Sequence, residues 1–430
     1  MSEPLGLRGY RLLTSAAEPL SGLLFAQRLK RGREIPERLN ERRGIASVAR
    51  PAGQLVWLHG ASVGELTSVL PLISRLHARG LALLVTSGTV TSSQLAEQRL
   101  PDGVIHQFVP LDVPAYARRF LDHWRPQLAL FVESDLWPNL LHETAVRGVP
   151  VVLTNARLSE RSFRRWQRFP KPIAHILRRF AVALARTPLD AERLNALGAE
   201  RVVITGDLKL DVPAPPADAD ALVALREAIG GHPLLAAAST HPGEDEQVLF
   251  AHRELRGAHP DLLTIIAPRH PERGREIAEI ARTTGCSAYL RSEGALPAAD
   301  TDVYIADTLG ELGLLYRVAP LVFIGGSLIR HGGQNPIEAA KLGACVLHGP
   351  HVWNFAETYA ALDKAHGAVP IEDAQGLRTT FAELLANPQR AAEIGQAGRD
   401  TVDALGGGLD RTLSALEPYL AKLQQDKADA

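Results

Sequence analysis

Residues 54–65 read Gln54-Leu55-Val56-Trp57-Leu58-His59-Gly60-Ala61-Ser62-Val63-Gly64-Glu65 and pass from an apolar run, through a loop of small residues, into a segment of helical periodicity. The same succession recurs along the chain, and it decides the fold. Strands are expected at 54–58, 81–86, 105–109, 127–132, 149–154, 181–185 and 201–205. The segments between them, such as 115–124 and 189–197, carry apolar residues at helical spacing and end near Gly or Pro. Alternation of this kind implies an α/β chain, with parallel strands and helices on both faces of the sheet. At 212–220 the sequence Val-Pro-Ala-Pro-Pro-Ala-Asp-Ala-Asp breaks the rhythm, as an extended connector does. Apolar runs resume at 234–238, 262–267, 302–306, 321–324 and 345–347. The expected organisation is a basic N-terminal segment (1–50), a first α/β domain (51–211), a linker (212–220), a second α/β domain (221–408) and a C-terminal helix and tail (409–430). Loops leaving the carboxyl ends of parallel strands should hold the chemistry, in a central cleft that two facing domains would form.

The chain has 430 residues, 46% of them hydrophobic and 22% charged, and a formal charge of -1, so no global field draws it to nucleic acid. Its two cysteines, Cys286 and Cys345, have neither metal-ligand nor disulfide spacing and fit a reducing cytoplasm. No secretion signal and no run of 18 apolar residues is read. Residues 1–50 set ten Arg/Lys against five Asp/Glu beside Leu12, Leu13, Leu20, Leu23, Leu24 and Phe25. Such a segment can lie on an anionic membrane, or pack on its own domain as a basic amphipathic helix. Pro19 and Ser21-Gly22 interrupt it.

A Gly-x-Gly-x-x-Gly turn and a Walker loop are both missing, which argues against dinucleotide oxidoreductases and P-loop hydrolases. Asp300-Thr301-Asp302 has the form of a metal-binding Asp-x-Asp but reads as a turn before a strand. No zinc motif occurs, so neither a metal nor a cofactor is expected.

At 59–65 the glycines let backbone approach a ligand, with Ser62 and Gly64 candidates for contact with an acceptor. Glu65 falls in the first turn of the following helix, where its carboxylate can take a proton from an attacking hydroxyl or complement the helix dipole. A second strand exit, Phe131-Val132-Glu133-Ser134-Asp135-Leu136-Trp137-Pro138-Asn139, offers Glu133 as a functional carboxylate and Asp135 as a helix cap. Residues 157–179 hold eight Arg/Lys and one Glu among aromatics. Arg157, Arg161, Arg164 and Arg165 there suit the phosphates of an anionic amphiphile, single-stranded nucleic acid, or merely water. Lys209, just before the linker, could offset charge on a leaving phosphate. In the second half Arg269 suits a phosphate. Gly325-Gly326-Ser327 opens a glycine-rich loop, and helix starts at Gly310 and Pro336 could offer amides to an anion. Glu338 could accept hydrogen bonds from ribose hydroxyls.

Four motifs together, His-x-x-Ser-x-Gly-Glu (59–65), Phe-Val-Glu-Ser-Asp-Leu-Trp-Pro-Asn (131–139), Asn-Ala-Arg-Leu-Ser-Glu-Arg-Ser (155–162) and His-Gly-Gly-x-Asn-Pro-x-Glu (331–338), resemble those of the 3-deoxy-D-manno-octulosonic acid (Kdo) transferases of lipopolysaccharide biosynthesis. The likeness runs from about Trp57 to Tyr359. It implies two Rossmann-like domains of the glycosyltransferase B type, and metal-independent, inverting transfer from CMP-Kdo to a lipid A precursor at the cytoplasmic side of a bacterial inner membrane. It implies Glu65 as general base and Glu133 and Lys209 as groups that stabilise the transition state. Pro268, Arg269, Leu309, Gly310, Glu311, Asn335, Pro336, Ile337 and Glu338 match its CMP-binding segments. Two alternatives are a related enzyme using a uridine nucleotide and an inactive lipid-binding scaffold.

Overall fold

The computed structural model describes residues 3–134 and 136–428, with side chains as far as residue 423. Asp135, expected as a cap, lies outside the described residues. Two compact units emerge: Met1–Val212 with Gly406–Ala430, and Pro213–Leu405.

The first unit is built on β1 (Leu55–His59), β2 (Ala82–Ser87), β3 (Ile105–Phe108), β4 (Leu128–Val132), β5 (Val151–Ala156), β6 (Phe180–Ala185) and β7 (Val202–Ile204), in the order β3-β2-β1-β4-β5-β6-β7 and all parallel. Every residue of β1 and β4 is buried, as expected where helices cover both faces. Alternate residues of β1 serve opposite faces. Trp57 packs its ring 5.0 Å from Phe120 and 5.1 Å from Phe131, while Val56 and Leu58 join Leu66, Val69 and Ile73 on the other side. Leu413, Leu416 and Leu420 of the last helix, Gly408–Ala428, complete that second layer. Each such leucine contributes about 1.5–3 kcal/mol.

The second unit carries β8 (Leu234–Thr240), β9 (Leu263–Pro268), β10 (Ala288–Leu290), β11 (Val303–Ile305), β12 (Leu321–Ile324), β13 (Cys345–His348) and β14 (Ala368–Pro370), ordered β10-β11-β9-β8-β12-β13-β14 and again parallel. The sequence pattern does not announce β10 and β14. Both are three-residue strands at the sheet's edges, too short to establish a period. The helix Ala219–Ile229 begins inside the stretch read as linker, because the Asp218 side chain accepts the Ala221 amide at 2.8 Å and starts it there. In the first sheet the strand order switches sides between β1 and β4; in the second it switches between β8 and β12, with β11 inserted between β9 and β10. Crevices at such points are where open parallel sheets bind ligands.

At the N-terminus a short turn, Glu18–Leu20, separates the helices Leu5–Ala16 and Ser21–Lys30. The first buries no residue, and Leu5, Leu12, Leu13 and Leu23 are at least 72% exposed. Phe25 is the buried anchor. Part of the segment's positive charge proves structural: Glu34 pairs with Arg28 and Arg42, and Glu41 with Arg38. Arg8, Lys30, Arg31 and Arg33 remain exposed. Among the described residues no helix is long and apolar enough to cross a membrane.

Candidate functional site

At the end of β1, Ser62 caps the helix Val63–Ala78 by accepting the Glu65 amide at 3.3 Å. The Glu65 carboxylate answers by accepting the Ala61 amide at 2.7 Å and the Ser62 hydroxyl at 2.9 Å. The carboxylate reaches one residue further back than in a capping box, so the cap and the turn before it are tied together. These bonds fix the carboxylate on a half-buried ledge at the switch point of the first sheet. A Cβ added at Gly64 would meet nothing within 4 Å, so the backbone there is open to a ligand. Gly88 explains the tightness of the neighbouring turn, since its amide donates to Ala61 O at 2.9 Å and a Cβ would lie 2.8 Å from that oxygen.

Across the switch point, Glu133 leaves β4 with φ of 59°, a left-handed conformation that a non-glycine residue adopts at a cost of about 1–3 kcal/mol. Its backbone amide is tied to Thr154 O at 2.9 Å. The side chain receives Lys209 Nζ at 2.7 Å, both groups being less than 20% exposed. Lys209 is positioned by a 3-10 turn, Leu208–Asp211, whose amides bond to Asp207 Oδ1 and Asn155 Oδ1. Glu133 and Lys209, expected separately, thus form one ion pair.

The basic stretch divides between two grooves and a crevice. Arg161, Arg164, Arg165 and Arg168 line a cavity of about 710 Å³ with Glu160 and Ser162. A second of about 380 Å³ shares Ser162 and Arg165 and is walled by Tyr10, Trp137, Leu158 and Trp166. Arg157 lines neither; it sits by Glu133 in a narrow crevice among leucines. Ser62 and Gly64 belong to the β1 turn instead. Nothing in the sequence pattern marks Tyr10 as a wall of that groove, because its approach depends on the packing of the N-terminal helix, pinned by the Tyr10 hydroxyl donating to Asp112 at 3.0 Å.

In the second unit Pro268 ends β9 buried and Arg269 emerges exposed, its amide held by Thr240 O at 2.9 Å. The loop after β12 is not an open set of amides. The buried Glu244 carboxylate accepts the amides of His241, Gly326, Ser327 and Leu328 at 2.6–3.0 Å. Burial pushes its pKa up, and those four bonds oppose the shift. The spacing from Glu244 to Gly326 hides this closure. The expected helix starts at Gly310 and Pro336 lie just ahead of short helices, Leu312–Val318 and Ile337–Lys341. Asn335 Oδ1 accepts the Ile337 amide at 3.0 Å and its Nδ2 donates to Glu338 at 3.2 Å. Glu311 is clamped by Arg291 at 2.7 and 2.8 Å and accepts the Thr308 hydroxyl; the guanidinium holds its carboxyl below the usual range. Leu309 is 82% exposed beside Gly310, whose φ is 84°.

Comparisons with known proteins agree with this architecture. The model of the 3-deoxy-D-manno-octulosonic-acid transferase (kdotransferase) family matches residues 37–212. The structure of UDP-GlcNAc 2-epimerase from Neisseria meningitidis superposes with a TM-score of 0.57 at 14% identity, over 86% of this chain and 100% of that one. Such a likeness speaks for the fold alone, two Rossmann-like domains of the glycosyltransferase B type. The 3-deoxy-D-manno-octulosonic acid transferase of Bordetella pertussis is 36% identical over 88% of this chain and 90% of its own. That of Haemophilus influenzae is 34% identical over 90% and 92%. On that identity over about nine-tenths of its length, the chain belongs to the 3-deoxy-D-manno-octulosonic acid transferase family.

Proposed function

We propose that this chain is a glycosyltransferase of lipopolysaccharide biosynthesis that moves Kdo from CMP-Kdo to a lipid A precursor of the lipid IVA type, with inversion and with no metal taking part. The observation that carries the reading is the pair of carboxylates at the first sheet's switch point, each already oriented by the protein: Glu65 by the Ala61 amide and the Ser62 hydroxyl, and Glu133 by Lys209. Glu65 takes the proton of an acceptor hydroxyl as its oxygen bonds to the anomeric carbon, from the face opposite CMP. The bond to the phosphate breaks and CMP departs with the electron pair. Arg269, the exposed cation at the end of β9, meets the phosphate's charge, and the Glu133–Lys209 pair stabilises charge at the reacting centre. Pro268, Leu309, Gly310, Glu311 and Asn335, Pro336, Ile337 and Glu338 form the nucleotide's remaining surroundings.

On the acceptor side, Arg161, Arg164 and Arg165 suit phosphates, and the adjoining Tyr10, Trp137 and Trp166 suit sugar or acyl surface. The exposed leucines of the two N-terminal helices, with Arg8, Lys30, Arg31 and Arg33, support a peripheral seat on an anionic inner-membrane surface as part of this reading. Glu65→Gln separates the catalytic from the structural role, since the glutamine side-chain oxygen can still accept the Ala61 amide. Turnover should fall by about 10²–10⁴ while CMP affinity and thermal stability hold. A variant with near-normal turnover would remove Glu65 as the base.

A further inference from the structure

Three histidines meet where β8, β9 and β12 end. The His241 ring lies 3.9 Å from that of His331, the two tilted by 33°, and 6.0 Å from that of His270. His241 is buried, whereas His331 and His270 face solvent. Gln334 places its side-chain nitrogen 2.9 Å from His241 Nε2. With the amide donating, Nε2 is the acceptor and the ring proton belongs on Nδ1. Burial and then the neighbouring His331, His270, Arg269 and Arg273 lower the His241 pKa to about 4, so it offers an N–H without adding charge. His270 is paired with Glu272 at 3.7 Å and His348 with Asp363 at 2.9 Å. Among the described residues His241 and His331 are not so paired, and Glu244, three residues beyond His241, is turned onto backbone amides. The His241 and His331 rings thus lie together beside the strand exit of Arg269, while Glu244, the carboxylate nearest His241 in sequence, is engaged by backbone amides.

We propose that the His241–His331 pair binds the sugar carboxylate of the nucleotide donor and thereby selects an acidic sugar over a neutral one. This rests on the reading of the protein as a Kdo transferase. In a 2-ulosonic acid linked to a nucleotide through its anomeric carbon, the carboxylate and the phosphate hang on the same carbon, so their protein partners must be neighbours. Arg269 and the two imidazoles occupy adjacent strand exits. A neutral sugar nucleotide lacks the carboxylate and leaves these N–H groups without their ligand, the kind of loss by which polar sites discriminate.

The test compares wild type, His331→Ala, His331→Lys and His241→Asn for initial rates with CMP-Kdo and for calorimetric affinity toward CMP alone, with thermal unfolding as a check on the fold. His331 is exposed, so its variants should melt with wild type. Expected for His331→Ala and His241→Asn is a KM for CMP-Kdo raised at least about tenfold with CMP affinity held within about twofold; His331→Lys, which supplies an N–H donor in its place, recovers much of the loss. An unchanged KM in both, or a parallel fall in CMP affinity in a normally folded variant, overturns the proposal. If wild type itself transfers no Kdo, the functional reading fails and the proposal falls with it; if wild type transfers and the variants match it, this assignment alone is lost.

Discussion

At the end of β1 the Glu65 carboxylate is held by an amide and a hydroxyl, and at the end of β4 Glu133 is held by Lys209. At the ends of β9 and β12, by contrast, Arg269, His270 and His331 stand in solvent beside a buried His241. Glu244, three residues past His241, is closed over backbone amides. One sheet thus presents oriented anions and the other an exposed guanidinium and imidazoles, although both are parallel seven-stranded sheets whose order switches beside their first strand. The difference teaches that function lies in what the strand exits carry and how those groups are pre-engaged. A base or a transition-state stabiliser gains from being fixed before the substrate arrives, because no reorganisation is then needed during the reaction. A group that grips a dianionic leaving group must keep its donors for the ligand.

The contrast can be broken most severely in the first unit. Lys209→Met leaves Glu133 as an unpaired, largely buried carboxylate, and turnover should fall by roughly 10²–10³. If the two act as one element, Glu133→Gln should cost a similar factor, and the double variant should be little worse than either alone. Steady-state kinetics on the three proteins checks this, and losses that multiply would show two independent roles.

In the second unit the expected effect is on binding. Arg269→Ala removes a cation with no internal structural duty for its side chain, and CMP affinity measured by calorimetry should weaken by about 10- to 100-fold, the size of a charge-assisted hydrogen bond. The same measurement on Lys209→Met should show little change. Equal weakening in both proteins would erase the distinction between the units.

A smaller effect concerns acid. His252 is buried with Nδ1 2.8 Å from Thr264 Oγ1, and burial lowers its pKa from 6.5 to about 4. The folded protein holds this ring neutral, while the unfolded chain protonates it near 6.5. Its contribution is therefore complete above pH 6.5 and is lost progressively as pH falls toward 4. His252→Gln, which keeps an amide to bond Thr264 but cannot titrate, should lose less stability between pH 7 and pH 5 than wild type. Urea midpoints at the two pH values test the sign, and a variant that is more acid-sensitive would contradict it.

Much of this was legible from the sequence, for identifiable reasons. Strands such as 54–58 and 127–132 are buried on both faces and so appear as unbroken apolar runs, displaced by only a residue or so from β1 and β4. The spacing of Ser62 and Glu65 is a local signal, and so is the helix it starts. What stayed hidden is non-local. The Glu133–Lys209 bond joins residues 76 apart, and no periodicity announces it. The Gly325-Gly326-Ser327 stretch reads only as the opening of a glycine-rich loop, and nothing local shows that Glu244, more than 80 residues earlier, occupies its amides. The basic stretch after β5 reads as one surface, yet helix geometry sends Arg161, Arg164 and Arg165 to a groove and Arg157 to a crevice beside Glu133. The Arg38 and Arg42 charges near the N-terminus look like a membrane signal in a charge count and turn out to be half of buried ion pairs.

The most direct test is chemical. Purified protein incubated with a tetraacylated lipid A precursor and CMP-Kdo, with magnesium and with chelator in parallel, should yield an acceptor heavier by one or more Kdo residues by mass spectrometry, together with released CMP in both conditions. An acceptor of unchanged mass, or one extended only when a uridine nucleotide sugar replaces CMP-Kdo, would contradict the account.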